Sequence, residues 1–332
     1  MNKVYIILLN YNGWKDTIEC LESVFKNDYQ NYQVILVDNK STDDSQKKII
    51  DWLEGKQKVI YSEDSNLKYL SQPFENKPLT YKIYTETDSE NIKKTGKDSS
   101  TVIFINAESN RGFAAGNNIG IKYALIQNDF SYVWLLNNDT VIKPDALSEL
   151  LKKADEHNAG ITGSTLMYYH EPDKIQALGS YVNKFFAMPR VILNKDDIEK
   201  KLEYIVGASF LISKKLIDKI GLLPEEYFMY YEETDYCYTA GKHNFNITVA
   251  LNSIVYHKEG AAMKEKDNNG SALADYLALR NKIIFAKKHL PKYLIFVYLS
   301  FIGVLINRIR RRNLFKLLAQ KNNVKKLLNF QE

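Results

Sequence analysis

The sequence predicts an α/β fold built on a mostly parallel sheet flanked by helices, and three observations predict it. Four apolar runs, VYIILL (4–9), QVILV (33–37), TVIFI (101–105) and YVWLL (132–136), show little polar alternation, as strands buried on both faces do. Helical patterns separate several of them, and strand–helix–strand alternation predicts a parallel sheet covered on both faces. Each run is followed closely by a polar segment, where α/β sheets bind their ligands.

The elements follow in order. After the first strand, Ile18, Leu21 and Phe25 form a helical stripe behind Asp16; after the second, Ile49, Ile50 and Leu53 form another behind the cap signal STDDS. Residues 62–100 are polar and turn-rich, and read as a surface insertion with a hairpin around LTYKIYTE. KPDALSELLKKADEH predicts a helix, with Pro144 in its first turn and Leu147, Leu150, Leu151 and Ala154 on one face. YIVGASFLIS (204–213) is a further strand, leading through KKLIDKIG into an acidic, aromatic segment.

Bulk properties exclude several classes. With 332 residues, 45% hydrophobic and 26% charged, the chain can bury a core and is not disordered. Cys20 and Cys237 stand far apart, which excludes a cysteine-based zinc site or disulfide framework and suits a reducing compartment. The N-terminal apolar run is shorter than a secretory core and reads as a strand. From Arg280 onward there are 13 Lys or Arg and one acid, against a net charge of +5 for the whole chain, so the C-terminal segment is expected to meet an anionic partner.

The strand exits carry the chemistry. Asp38 either accepts from a nucleobase or ribose, or caps the turn formed with Ser41 and Thr42. NRGFAAGNNIGI (110–121) spaces its glycines as G-x3-G-x3-G, so both common phosphate fingerprints fail. What remains is a helix start made of small residues, open either to a diphosphate, with Arg111 as partner, or to close helix–sheet packing. Asp139, in NNDT, can hold Mg²⁺ or Mn²⁺ against two phosphates, with Asn137 and Asn138 orienting water or sugar hydroxyls; the alternative is a turn ahead of the Pro144 helix. Glu232, Glu233 and Asp235 crowd a helix start, where mutual repulsion raises a pKa as a general base needs. His257 follows an apolar run and either serves the structure, as a lone histidine more often does, or complements one carboxylate and a diphosphate around a metal.

In this order the segments resemble those of inverting glycosyltransferases of family 2 with the GT-A fold, over about residues 1–290, and are most similar to a bacterial rhamnosyltransferase-like branch. The resemblance implies nucleotide-binding roles for Asn10, Tyr11 and Asn12, for Asp38 and Asn39, for Arg111, Gly112 and Asn117, and for Asn138. It implies a divalent cation, Mn²⁺ or Mg²⁺, held by Asp139 and His257, although Asn137 occupies the place of the family's first acid. FMYYEETDYC is similar to the family segment that carries the catalytic base, with Glu233 at that position and Glu232 and Asp235 as rivals, and Arg280 falls near the acceptor or diphosphate. The reaction implied is a single in-line displacement that moves a sugar, rhamnose by branch resemblance, from a nucleotide diphosphate to a glycan or lipid-linked acceptor in surface polysaccharide synthesis. The alternatives are a non-catalytic nucleotide-sugar-binding assembly subunit and a sugar-nucleotidyltransferase. The latter is disfavoured because NYNGWKD lacks that family's basic, glycine-rich loop.

Residues 291–332 are expected to form a separate helical tail. YLIFVYLSFIGVLI (293–306) is apolar but shorter than the roughly 18 residues that span a bilayer, and basic residues follow at once. This pattern fits docking on the cytoplasmic leaflet, which makes the protein a peripheral one at the inner face of the cell membrane; the alternative is a helix packed on the catalytic domain. Nucleic acid is not expected, because no recognised module accompanies the charge.

Overall fold

A computed structural model describes residues 2–61, 66–72, 77–92, 100–258 and 269–310. The chain divides into two compact units, Met1–Tyr181 with Val191–Ala261, and Val182–Arg190 with Ala262–Glu332.

The first unit alternates as the periodicity requires: β1 (Val4–Asn10), α1 (Trp14–Val24), β2 (Tyr32–Asp38), α2 (Ser45–Leu53), β3 (Tyr81–Thr85), α3 (Glu86–Glu90), β4 (Val102–Asn106), α4 (Phe113–Gln127) and β5 (Tyr132–Asn137). These strands are hydrogen-bonded in the order β3-β4-β2-β1-β5, all parallel. Helices cover both faces, so Ile6, Ile7 and Leu8 of β1 are fully buried although their side chains alternate between faces. The small-residue stripe of α4 packs close on β1: a Cβ added at Gly116 would lie 2.5 Å from Leu9, and one at Gly120 would lie 2.8 Å from Ile7. For these two glycines, close helix–sheet packing is the role observed.

The rest of the sheet is mixed. After β6 (Thr140–Ile142) and α5 (Ala146–Glu156) come β7 (Ala159–Tyr168), β8 (Ile175–Ala177), β9 (Ser180–Asn183), β10 (Met188–Val191), α6 (Ile198–Lys201), β11 (Ser209–Ser213), α7 (Lys214–Ile220), α8 (Glu232–Lys242) and β12 (Asn246–His257). β11 runs antiparallel between β5 and β7, β12 runs parallel to β7, and β6 is antiparallel to β12.

One expectation is corrected here. The stretch around LTYKIYTE is not a hairpin: β3 runs parallel to β4, Tyr81 opposite Val102 through Thr85 opposite Asn106, and extends the central sheet. Its largely exposed residues are those of an edge strand, which from sequence alone resembles one arm of a hairpin. Residues 62–65, 73–76 and 93–99 of that stretch lie outside the described residues.

The second unit contains the hairpin tip Val182–Arg190, α9 (Asn269–His289) and α10 (Leu294–Arg310). No helix among the described residues is long and apolar enough to cross a membrane. The basic stretch expected beyond α10, from residue 311, lies outside the described residues.

Candidate active site

Parallel register brings the polar exits of the strands side by side. Asn10 of β1 pairs with Asp38 of β2, Asp38 with Asn106 of β4, and Leu9 with Asn137 of β5. Side chains join these exits into one array. Asn138 Nδ2 donates to Thr17 Oγ1 at 2.9 Å, Thr17 Oγ1 donates to Asn10 Oδ1 at 2.8 Å, and Asn10 Nδ2 donates to Asp38 Oδ2 at 2.7 Å. The Ser41 hydroxyl and backbone N–H both donate to Asp38, so the turn-capping reading of that carboxylate is observed. A carboxylate has about four lone-pair sites, and three are filled here. Asn12, in a left-handed conformation, holds the neighbouring loop by accepting from the Thr42 N–H at 2.8 Å. Tyr11 beside it is half-buried.

Asn39 ties this array to the turn before α4, donating to Asn110 Oδ1 and to the Gly112 carbonyl. Its own Oδ1 is buried without a hydrogen-bond partner among the described residues. Arg111 is ion-paired with Glu86 at the end of β3, and Asn117 donates back to Phe113 O within its own helix. Gly112 has φ +92°, and a Cβ there would lie 2.0 Å from the Phe228 carbonyl oxygen, so only glycine fits.

Asp139 and His257, 118 positions apart in the sequence, meet: His257 Nε2 lies 3.3 Å from Asp139 Oδ1, and both side chains are largely buried. Antiparallel pairing of β12 with β6 sets His257 opposite Thr140, next to Asp139. On its other side His257 Nδ1 lies 2.8 Å from Gln176 Oε1. An imidazole nitrogen and a carboxylate side by side, with the other ring nitrogen oriented by an amide oxygen, are a donor set that fits a divalent metal. Among the described residues no three His, Cys, Asp or Glu side chains converge, and the remaining positions would fall to phosphate oxygens and water. Strand burial therefore ends in NNDT for a reason: Asn138 joins the polar array and Asp139 faces the histidine.

Sequence reasoning missed the support beneath this pair. Lys258, the residue after His257, donates to Asp16 at 2.5 Å and to fully buried Glu19 at 2.6 Å, and Tyr169 OH also donates to Glu19. Burial disfavours the charged lysine, and the two carboxylates more than offset that, raising its pKa. No local motif signals a contact between residues so far apart; the only clue was an acidic face on α1.

The acidic cluster opens α8. Phe228, Tyr230 and Tyr231 all have positive φ (66°, 71° and 76°), an uncommon conformation for bulky side chains, and lead directly into Glu232. The loop is fixed by Phe113 N–H donating to Phe228 O at 2.7 Å and by Tyr227 OH donating to Asp235 Oδ2 at 2.6 Å. Asp235 also accepts from Thr239 Oγ1. Glu232 and Glu233 each keep one buried carboxyl oxygen without a hydrogen-bond partner among the described residues. Burial pushes the Glu233 pKa up to about 7, although backbone N–H groups at the helix start partly oppose it. Burial, with the neighbouring Glu233 charge, raises Glu232 well above the usual range. The Glu233 Cβ lies against Gly207, 3.9 Å from where a Cβ there would stand, and the adjacent Ala208 carbonyl accepts from Asn137 N–H. Arg280 lies on α9 of the second unit, where its Nη1 donates to Asn281 Oδ1.

This combination, a parallel sheet with an antiparallel extension and an Asp–His pair at its carboxyl edge, defines an α/β protein of the GT-A type. The chain belongs to glycosyltransferase family 2, whose model matches residues 5–73 and 85–221, more than half its length. It is 25% identical over 210 residues to the low-salt glycan biosynthesis hexosyltransferase Agl10 of Haloferax volcanii, covering 61% of this chain and 66% of that protein. Against the dTDP-rhamnosyl transferase RfbF of Shigella flexneri it is 23% identical over 133 residues, covering 39% of this chain and 42% of RfbF. The mannosyltransferase PcManGT of Pyrobaculum calidifontis, solved with GDP-Man and Mn²⁺, shares the fold with a TM-score of 0.51 at 12% identity, over 100% of this chain and 88% of that one.

Proposed function

We propose that this chain transfers a sugar from a nucleotide diphosphate donor to a glycan or lipid-linked acceptor, with inversion at the anomeric carbon. The observation that carries this is the meeting of Asp139 with His257 at the carboxyl edge of the sheet, one strand from the Asn10–Asp38 array. The array suits a base and ribose, and the pair suits a diphosphate. The GDP-Man and Mn²⁺ of PcManGT and the hexosyltransferase and rhamnosyltransferase relatives support a nucleotide-sugar donor.

In this reading Asn10, Tyr11, Asn12, Asp38 and Asn39 hold the nucleoside, and Gly112 lets the Phe228 loop that leads into Glu233 close on the turn before α4. A Mn²⁺ or Mg²⁺ ion held by Asp139 and His257 would offset charge on the departing diphosphate. Glu233 takes the acceptor hydroxyl's proton as that oxygen attacks the anomeric carbon. A pKa near 7 leaves about half of it ionised at neutral pH, which suits a general base. Asp235, already accepting from Tyr227 and Thr239, anchors the loop.

Rhamnose as the sugar rests on the RfbF relationship alone. The basic C-terminal segment is proposed to rest on the cytoplasmic leaflet, where a lipid-linked acceptor would lie. The test is thermal stabilisation and diphosphate-nucleoside release with UDP-, dTDP- and GDP-sugars, each with and without Mn²⁺. Metal-strengthened stabilisation by one base, with slow release, is expected. No response to any donor would overturn the proposal.

A further inference from the structure

The second unit exposes an apolar surface that sugar chemistry does not use. Its hairpin tip presents Phe185, Phe186 and Met188 to solvent, with Phe185 51% exposed. On α10, Ile295, Tyr298, Leu299 and Ile302 are exposed at i, i+3, i+4 and i+7, so they share one helix face. The two elements are joined within the unit. The Phe185 ring meets Tyr293 edge-on at 5.2 Å and Phe296 at 5.4 Å between centroids. Val297, on another side of α10, is fully buried, so the helix is packed and its exposed face is a separate feature.

Charge decides what covers this surface. Lys184 and Arg190 bracket the tip and are exposed, as are Lys287, Lys288 and Lys292, and no acid lies between residues 182 and 194. A second copy of the chain would set this positive charge against itself. An anionic bilayer supplies both an apolar layer for the aromatic tip and negative headgroups for its basic rim. Aromatic side chains favour that boundary, and a helix too short to span a membrane can still lie in it.

We propose that the tip Phe185–Met188 and the exposed face of α10 insert together at the headgroup–acyl boundary of an anionic bilayer, forming a two-element anchor. This rests on the membrane part of the proposed function and is independent of the sugar reaction. It adds an element from the middle of the chain to an attachment otherwise expected from the tail alone.

The experiment is co-sedimentation of the full chain with phosphatidylcholine vesicles, with and without phosphatidylglycerol. The variants are Phe185→Ser/Phe186→Ser/Met188→Ser and a chain ending at residue 310. The hairpin variant is expected to bind anionic vesicles at least about tenfold more weakly than wild type, since burying even one such side chain exceeds that in free energy. Its donor turnover and circular dichroism should stay at wild-type values, with thermal unfolding lowered by no more than the loss of the Phe185 ring contacts. In parallel, the indole introduced by Phe185→Trp should be quenched by brominated lipid beyond the wild-type background. Wild-type vesicle binding by the hairpin variant, with no quenching, would overturn the two-element anchor; if the chain ending at 310 then lost binding, the tail reading would stand alone. Failure of wild type to bind anionic vesicles would overturn both, and a dimer dissolved by the hairpin substitutions would assign the surface to self-association.

Discussion

Replacing Glu233 by Gln separates the chemistry of that side chain from its burial. In the folded protein its carboxyl is pushed from 4.5 to about 7, chiefly by burial. Below about pH 4.5 both folded and unfolded states hold the proton, and the group costs nothing. Between there and about pH 7 only the unfolded state releases it, so wild-type stability falls as pH rises. The full loss is about 3 kcal/mol by pH 8, at 1.36 kcal/mol for each tenfold change in proton affinity. Glutamine cannot ionise and escapes that loss. Its partly unpartnered amide returns about 1 kcal/mol of it, which leaves the variant about 2 kcal/mol more stable than wild type at pH 8. Near pH 4.5 the variant should hold no such advantage. Urea unfolding at both pH values reads this difference. Turnover should fall by about 10²–10⁴, with nucleotide binding unchanged, if Glu233 is the base. A stability gap independent of pH, or turnover within a few-fold of wild type, would refute the reasoning.

The remaining predictions concern the cation pair and its support. Asp139→Asn should remove the metal-dependent part of the stabilisation by a nucleoside diphosphate, out of a total of about 2.7 kcal/mol at a ligand concentration a hundred times Kd, read by thermal shift with and without Mn²⁺. Gln176→Leu removes the partner that orients His257 and should weaken Mn²⁺ affinity by about 10–100-fold in a calorimetric titration, with the fold intact by circular dichroism. Lys258→Met leaves Glu19 buried without its cation and should destabilise the chain by about 3–5 kcal/mol in urea unfolding. Adding Glu19→Gln should recover part of that loss, and an unchanged double variant would contradict the ion-pair account.

The sequence was most readable where one physical rule acted alone. β1, β2, β4 and β5 are apolar runs buried on both faces, and only a parallel central sheet makes such runs soluble. β7 was missed because Gly160, Gly163, Thr162 and Ser164 dilute its hydrophobicity. A Cβ at Gly160 would meet Phe245 at 2.8 Å and one at Gly163 would meet Ile205 at 2.4 Å, so these small residues serve tight tertiary packing that no local pattern displays. β3 was misread because an edge strand and a hairpin arm are exposed alike.

The site divides the same way. Asp38, Asp139, Glu233 and His257 stand at or near the ends of predicted strands or at a helix start, which is a local signal. Thr17, Gln176, Glu19 and Lys258 act through partners that only the folded topology supplies. Arg111 shows both: its position beside a glycine is a local signal for phosphate, while its ion pair with Glu86, from the stretch read as an insertion, is a contact that only the fold supplies.

The central claim is direct displacement at the anomeric carbon of a nucleotide-linked sugar, and proton NMR of an active α-linked donor tests it most directly. With acceptor, or with water in its place, the first sugar product to appear should carry the β configuration, and Glu233→Gln should abolish its appearance. An α product formed first, or donor bound and never consumed, would contradict the account.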